Sequence, residues 1–201
     1  MSTIIVGLMG KMGSGKDTVA ERLVARHSFT RMALADEIRK ELAEEYGVPF
    51  ELFTDRSRKE IPCAALGGRS PREVMREHGG WRRDVFGEDY WVNKVAAIIN
   101  ASDLLEARYV ISDIRMPNEY DWIASESGIL MRVIRPALEA EMVASGAYAH
   151  FTETALDDYA ADMDLINHEE QMDRLFEAVD AFAAGLSHAS NRASPPIAAI
   201  A

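Results

Sequence analysis

The sequence predicts an α/β protein, a five-stranded parallel sheet with helices on both faces, in a chain of 201 residues. Three observations predict it. Five short apolar runs alternate with segments of helical periodicity. Those runs lack the polar alternation of a sheet with one wet face. The conspicuous polar residues stand at the carboxyl ends of the runs, where parallel sheets bind their ligands.

Residues 3–9 read as the first buried strand, and 15–27 as a helix with Val19, Ala20, Leu23 and Val24 inward. A short strand over 30–34 precedes the helix "ADEIRKELAEEYG", which ends at Gly47 with Pro49 beyond. The chain is then irregular until "SPREVMREHGG". That reads as a short helix with Ser70 as N-cap, Pro71 at its first position and glycine at its end. A helix follows over about 90–100. "ARYVISD" and "ILMRVIRP" are two more strands around a helix over about 117–127. "DMDLIN" is the fifth strand, before a closing helix over about 169–184. The end, "SHASNRASPPIAAIA", pairs small residues with two prolines and is expected to lack fixed structure.

A formal charge of −11 and 48% apolar residues describe an ordinary soluble domain, and the charge is unevenly placed. Residues 137–184 hold twelve acidic groups against Arg174 alone, while 1–136 are balanced. A nucleic-acid polymer is therefore not expected as a partner, because phosphate backbones need concentrated cations. The chain has no apolar run long enough for a membrane and no signal-peptide layout, so a cytoplasmic protein is expected. Cys63, the only cysteine, allows no internal disulfide.

"GKMGSGK" fits Gly-x-x-x-x-Gly-Lys from Gly10 to Lys16, between a strand and a helix as a phosphate loop requires. Backbone N–H groups of Lys11, Gly13, Ser14 and Gly15 would form a nest, the helix N-terminus would add its dipole, and Lys16 would reach the outer phosphates of ATP. Where Ser or Thr usually follows the lysine to hold Mg2+, this chain has Asp17, and then Thr18. Asp17 would face hydrated magnesium or a basic acceptor site, leaving Thr18 to the α-phosphate; as a first-turn residue it also suits the dipole alone. Asn93-Lys94 continues Val-Ala, so the base reader of guanine-nucleotide switches is missing. A small-molecule kinase with an anionic acceptor fits best, since Arg72, Arg76, Arg82, Arg83, Arg115, Arg132 and Arg135 all follow the loop. Arg72 and Arg76 share a helix face and are spaced to clamp a phosphate, or to pair with Glu73 and Glu77.

"GKMGSGKDT", "ALAD", "SPREVMREHGG", "DYW", "VISDIRMPNE" and "HFTE", in that order, resemble the deoxynucleoside monophosphate kinases of tailed bacteriophages over roughly residues 3–180. The resemblance implies a P-loop NTPase fold with strand order 2-3-1-4-5, and γ-phosphoryl transfer from ATP to a deoxynucleoside 5′-monophosphate (dNMP). It implies one kinase domain over 1–185, with acceptor-binding helices over about 36–100, a short lid over about 137–152 and a disordered tail over 186–201. It also points to a homodimer. Asp17 and Thr18 match loop residues beside phosphates and magnesium. Asp36, Arg72, Arg76 and Gly79 fall at the acceptor site, and Trp91 at its nucleoside pocket, where composition alone would make it core. Asp113, Arg115 and Glu119 reproduce Asp-x-Arg-x-x-x-Glu; Asp113 suits a metal-side acid or a helix cap. Apart from the resemblance, Asn167 after the last strand would lie near the donor adenine or serve equally well as a strand-end turn residue. The lid departs from the pattern, with no Lys or Arg over 137–152, so either it is short and non-catalytic or Arg132 and Arg135 at its base serve instead.

The acceptor phosphate is already an anion, so catalysis is expected from positioning and charge neutralisation by Lys16, magnesium and the arginines. Phosphomevalonate and dephospho-coenzyme A kinases, and a non-catalytic nucleotide-binding module, are the rival readings.

Overall fold

Strand β1 (Ile4–Met9) runs through the middle of the sheet and is buried on both faces, as its unbroken apolar sequence requires. In the computed structural model, residues 3–102, 106–145 and 151–192 are described. The glycine loop follows β1 and leads into α1 (Lys16–His27), then β2 (Thr30–Met32), α2 (Leu34–Tyr46) and the single turn α3 (Glu51–Thr54). Helices α4 (Pro71–Phe86) and α5 (Tyr90–Asn100) precede β3 (Arg108–Ile111), α6 (Pro117–Ser125) and β4 (Ile129–Ile134). The chain closes with α7 (Pro136–Ser145), α8 (Phe151–Thr154), β5 (Met163–Ile166) and α9 (Met172–Arg192).

All strand pairs are parallel and the order is β2-β3-β1-β4-β5, the order expected. Alternation along β1 divides the core: Val6 and Leu8 pack with Leu23 of α1 and Val179 of α9. Ile5 and Met9 pack on the other face with Val95 of α5 and Ile123 of α6. The α1 stripe is narrower than its sequence suggests, because Val24 is 42% exposed.

Two boundaries differ from expectation. Helix α4 keeps its Ser70–Glu73 capping box and Pro71 start but does not stop at Gly79. A Cβ at Gly79 would lie 3.1 Å from Ile38 Cδ1, so glycine here permits the close approach of α2 and α4. The helix ends at Gly87, where φ is 101°. At the C-terminus α9 continues to Arg192, so the expected tail is helical over 186–192; helix-breaking prolines begin only at Pro195. Residues 193–201 of that tail, and 146–150 of the expected lid, lie outside the described residues. No helix of the described residues is long and apolar enough to cross a membrane.

Helices α2, α3 and α4 enclose a small core of their own, Leu42, Phe53, Leu66 and Val74. Beside it the Glu41 carboxylate joins three helices. It accepts from Arg82 Nε (2.8 Å), Tyr90 Oη (2.7 Å) and Lys94 Nζ (2.5 Å), and bonds with His78 Nε2 (2.8 Å). Burial pushes its pKa up, but bonds from Lys94, His78 and Tyr90 outweigh burial and bring it down to about 2. A lowered carboxyl pKa contributes stability above its unfolded value that is lost as pH falls through the folded one. Glu41→Gln is therefore expected to cost about 1–3 kcal/mol at pH 7. In urea unfolding at several pH values that difference should close between about pH 4.5 and 2. A difference independent of pH would show that the charge is not what holds the helices.

Candidate active site

The loop between β1 and α1 turns on three glycines with positive φ: Gly10 (135°), Gly13 (84°) and Gly15 (109°). Gly10 and Gly15 also admit neighbours that a side chain would exclude. A Cβ at Gly10 would meet Val133 O at 2.4 Å, and one at Gly15 would meet Asn167 Nδ2 at 2.4 Å. The loop thus rests directly on the ends of β4 and β5. Asn167 fixes it from beneath by donating from Nδ2 to Ser14 O (2.7 Å), and Arg135 Nη1 donates to Gly13 O (3.2 Å). Ser14 and Asn167 are buried, and Ser14 Oγ and Asn167 Oδ1 have no hydrogen-bond partner among the described residues. Asn167 is accordingly a support of the loop through its Nδ2, in keeping with its reading as a strand-end turn residue.

Lys16 opens α1 and is buried, its Nζ donating to the carbonyls of Gly10 (2.6 Å) and Lys11 (2.8 Å). Burial, and then the Arg115 guanidinium, lower its pKa to about 8, against raising contributions from Glu153, Asp17 and Asp113. Thr18 is half-buried in the first turn of α1. The Lys11 ammonium is engaged elsewhere, by Glu153 O (2.8 Å) and the Asp157 carboxylate.

Asp17 answers to two arginines that sequence reasoning missed. Its carboxylate accepts from Arg56 Nη2 (2.7 Å) and Arg31 Nη2 (3.4 Å). Arg31 is the middle residue of β2, and Arg56 lies in the irregular turn whose sequence, "DRSRKE", is visibly cationic. Asp17 remains accessible, so it is a hard-oxygen donor of the right kind for Mg2+. Among the described residues no group of three or more His, Cys, Asp or Glu is placed to hold a metal ion.

The three positions of Asp113-x-Arg115-x-x-x-Glu119 divide their work. Asp113, at the end of β3, accepts from the N–H groups of Leu34 and Ala35 (both 2.9 Å) and so caps α2. Burial raises its pKa although these bonds and nearby arginines oppose the rise. Glu119 is buried and accepts from Arg115 N (2.7 Å) and Met116 N (3.0 Å). Burial, and next the Asp113 charge, push its pKa up to about 7. Both carboxylates accept from backbone N–H groups, and for Asp113 this is the helix-cap arrangement. Arg115 alone carries its charge to the loop, where its Nη1 pairs with Glu153 of α8. Glu153 also accepts from Met12 N (2.5 Å), so an acid of the "HFTE" segment sits on the phosphate loop.

Other expected positions scatter. Trp91 is 2% exposed, packs in the main core and donates from Nε1 to Gly79 O (3.1 Å), so its ring is no open stacking platform. Gly79 is likewise buried. Arg132 Nη2 donates to the carbonyls of Leu156 (3.1 Å) and Tyr159, holding the segment before β5 rather than facing the loop. Asp36 pairs with Arg39, and Arg72 with Glu60. Arg76 is exposed, and no described contact joins it to Arg72.

No protein-family model matches the chain. A protein of Acanthamoeba polyphaga mimivirus, provisionally named a deoxynucleotide monophosphate kinase, is 28% identical over 158 residues, 69% of this chain and 77% of that protein. Among solved structures, dephospho-CoA kinase from Campylobacter jejuni aligns with a TM-score of 0.50 at 15% identity over 91% of this chain and 97% of that one. Shikimate kinase from Acinetobacter baumannii in complex with shikimate gives 0.45 at 14% identity, over 96% and 97%. The chain has the P-loop kinase fold. Sheet order, loop and relative together support a P-loop kinase.

A carboxyl whose folded pKa is raised favours folding below its unfolded value and withdraws that support as pH rises through the folded one. Glu119 should therefore make wild-type stability fall between about pH 4.5 and 7 relative to Glu119→Gln. The slope would be at most about 1.4 kcal/mol per pH unit. Parallel pH–stability curves for the two proteins would contradict that burial.

Proposed function

We propose that the protein transfers the γ-phosphoryl group of ATP to a deoxynucleoside 5′-monophosphate. The observation that carries the reading is the buried Lys16 beside Arg115 at the carboxyl edge of the sheet. Arg115 in turn neighbours a second cationic region on α2, α4 and the turn between them. Two anions brought together need this arrangement, with one cationic group between them. The name of the mimivirus relative supports the acceptor class.

An oxygen of the acceptor phosphate attacks the γ-phosphorus and forms a new P–O bond, and the bond to the β-γ bridging oxygen breaks to release ADP. No proton has to leave the acceptor first, so no general base is assigned. Lys16 and the loop amides hold the donor phosphates, and Arg115 neutralises charge where the two substrates meet. Magnesium, when bound, offsets charge on the donor phosphates. Asp17 would hold it, released from Arg31 and Arg56.

ADP release from ATP and Mg2+, with each dNMP, each ribonucleotide, phosphomevalonate and dephospho-coenzyme A supplied separately, tests this. One or more dNMPs should stimulate turnover above their ribose forms, and Lys16→Ala should lower it about a hundredfold or more. Stimulation by another acceptor only, or by none, would overturn the acceptor class.

A further inference from the structure

The cations of this surface come almost everywhere with an acid: Lys11 with Asp157, Arg56 with Asp17, Arg69 with Glu77, Lys94 with Glu41, Arg115 with Glu153. Lys59 does not. It lies half-buried in the turn 56–60, and among the described residues no carboxylate pairs with its ammonium. Glu60 beside it is taken by Arg72 Nε. The main chain holds Lys59 against α4, because Arg72 N donates to Lys59 O (3.0 Å).

The charges bearing most strongly on Lys59 are cations from three other elements: Arg72 of α4, Arg39 of α2, and Arg115 after β3. One of them is itself incompletely satisfied. Arg39 gives Nη1 to Asp36, but its Nε is buried without a hydrogen-bond partner among the described residues. A buried donor left unmade and an unpaired ammonium each carry a desolvation cost. A ligand with several acceptor oxygens and a charge near −2 would relieve both, and a phosphomonoester has that character near neutral pH.

Arg115 indicates which phosphate. Its positive charge acts on both ammonium groups, that of Lys16 and that of Lys59. The donor phosphates belong to Lys16 and the loop. The second seat, on the side of α2 and α4, is left for the acceptor.

We infer that Lys59, with Arg39 Nε, forms the seat of the acceptor's 5′-phosphate and is a binding residue that Arg72 alone does not replace. This rests on the monophosphate-kinase reading above. Burial, followed by Arg72, Arg39 and Arg115, lowers the pKa of Lys59, in keeping with a cation awaiting an anion.

Calorimetric titrations of wild type, Lys59→Met and Lys59→Arg with each dNMP, with the corresponding deoxynucleosides and with ATP test the inference. Lys59→Met should weaken dNMP binding by about tenfold or more. It should leave deoxynucleoside and ATP affinities within about twofold, and Lys59→Arg should recover most of the loss. Unchanged dNMP affinity overturns the seat. So does an equal loss for the deoxynucleoside, which would mark a structural role, or a loss for ATP instead, which would place Lys59 on the donor side. Should no dNMP bind wild type, the acceptor reading fails separately. The seat is then tested with inorganic phosphate by 31P NMR in the Lys16→Ala background, where the loop's own hold on the ion is removed. Saturable binding that Lys59→Met abolishes supports the seat, and absence or persistence of binding overturns it.

Discussion

Like charge crowded at one edge of the sheet is the constraint on which this molecule turns. Lys16 opens α1, Arg31 lies in β2, and Arg39, Arg56, Lys59, Arg72 and Arg115 belong to the segments from α2 to α6. A fold tolerates such crowding only if acids are interleaved, and here they are: Asp17, Asp36, Glu60 and Glu153 each take one or two of the arginines. Most of these pairs are at least partly exposed, so each is worth little as an isolated contribution to stability. Their value lies in keeping cations close together in a form that a stronger anion can claim.

The acids of the region fall into two kinds. Asp113 and Glu119 spend their carboxylates on backbone N–H groups, at the start of α2 and in the turn after β3. Asn167 does the corresponding work on a loop carbonyl. These contacts set where the chain runs, and through it where Lys16, Arg39 and Arg115 stand. Asp17, Glu60 and Glu153 bind side chains instead, and those partners can exchange. Glu41 anchors a third level, tying α2, α4 and α5 into the unit that carries Arg39 and Arg72.

The strands were legible because each is a short apolar run, and the loop because it has its own glycine spacing, whereas the strand order came from the resemblance of the motifs to a kinase family. The sites of exchange were less so. Asp-x-Arg-x-x-x-Glu marks three residues alike, but only geometry separates the two that hold backbone from the one that faces the loop. The pair Arg72 and Arg76 looked like a clamp by spacing, yet Arg72's neighbours came from the turn 56–60, far off the helix face. That turn has no periodicity to read. Gly79 misled for a related reason, since glycine that ends a helix and glycine that lets two helices approach are the same letter.

The arginine-poor segment between β4 and β5 shows how such a chain can still govern its site. It supplies acids, with Asp157 on Lys11 and Glu153 on both Met12 N and Arg115. The cation that pairs with this segment at Glu153 is Arg115, which follows β3. A phosphoryl oxygen drawn to Met12 N and Arg115 meets a carboxylate already bound to them. On the kinase reading proposed above, binding at the loop would be an exchange of one anion for another, with a net free energy set by the difference between the two sets of contacts. What the exchange adds is charge: a phosphate brings more of it than the carboxylate it displaces. Because burial and Arg115 hold the Lys16 pKa down near 8 in the presence of Glu153, the lysine is poised to respond to that added charge.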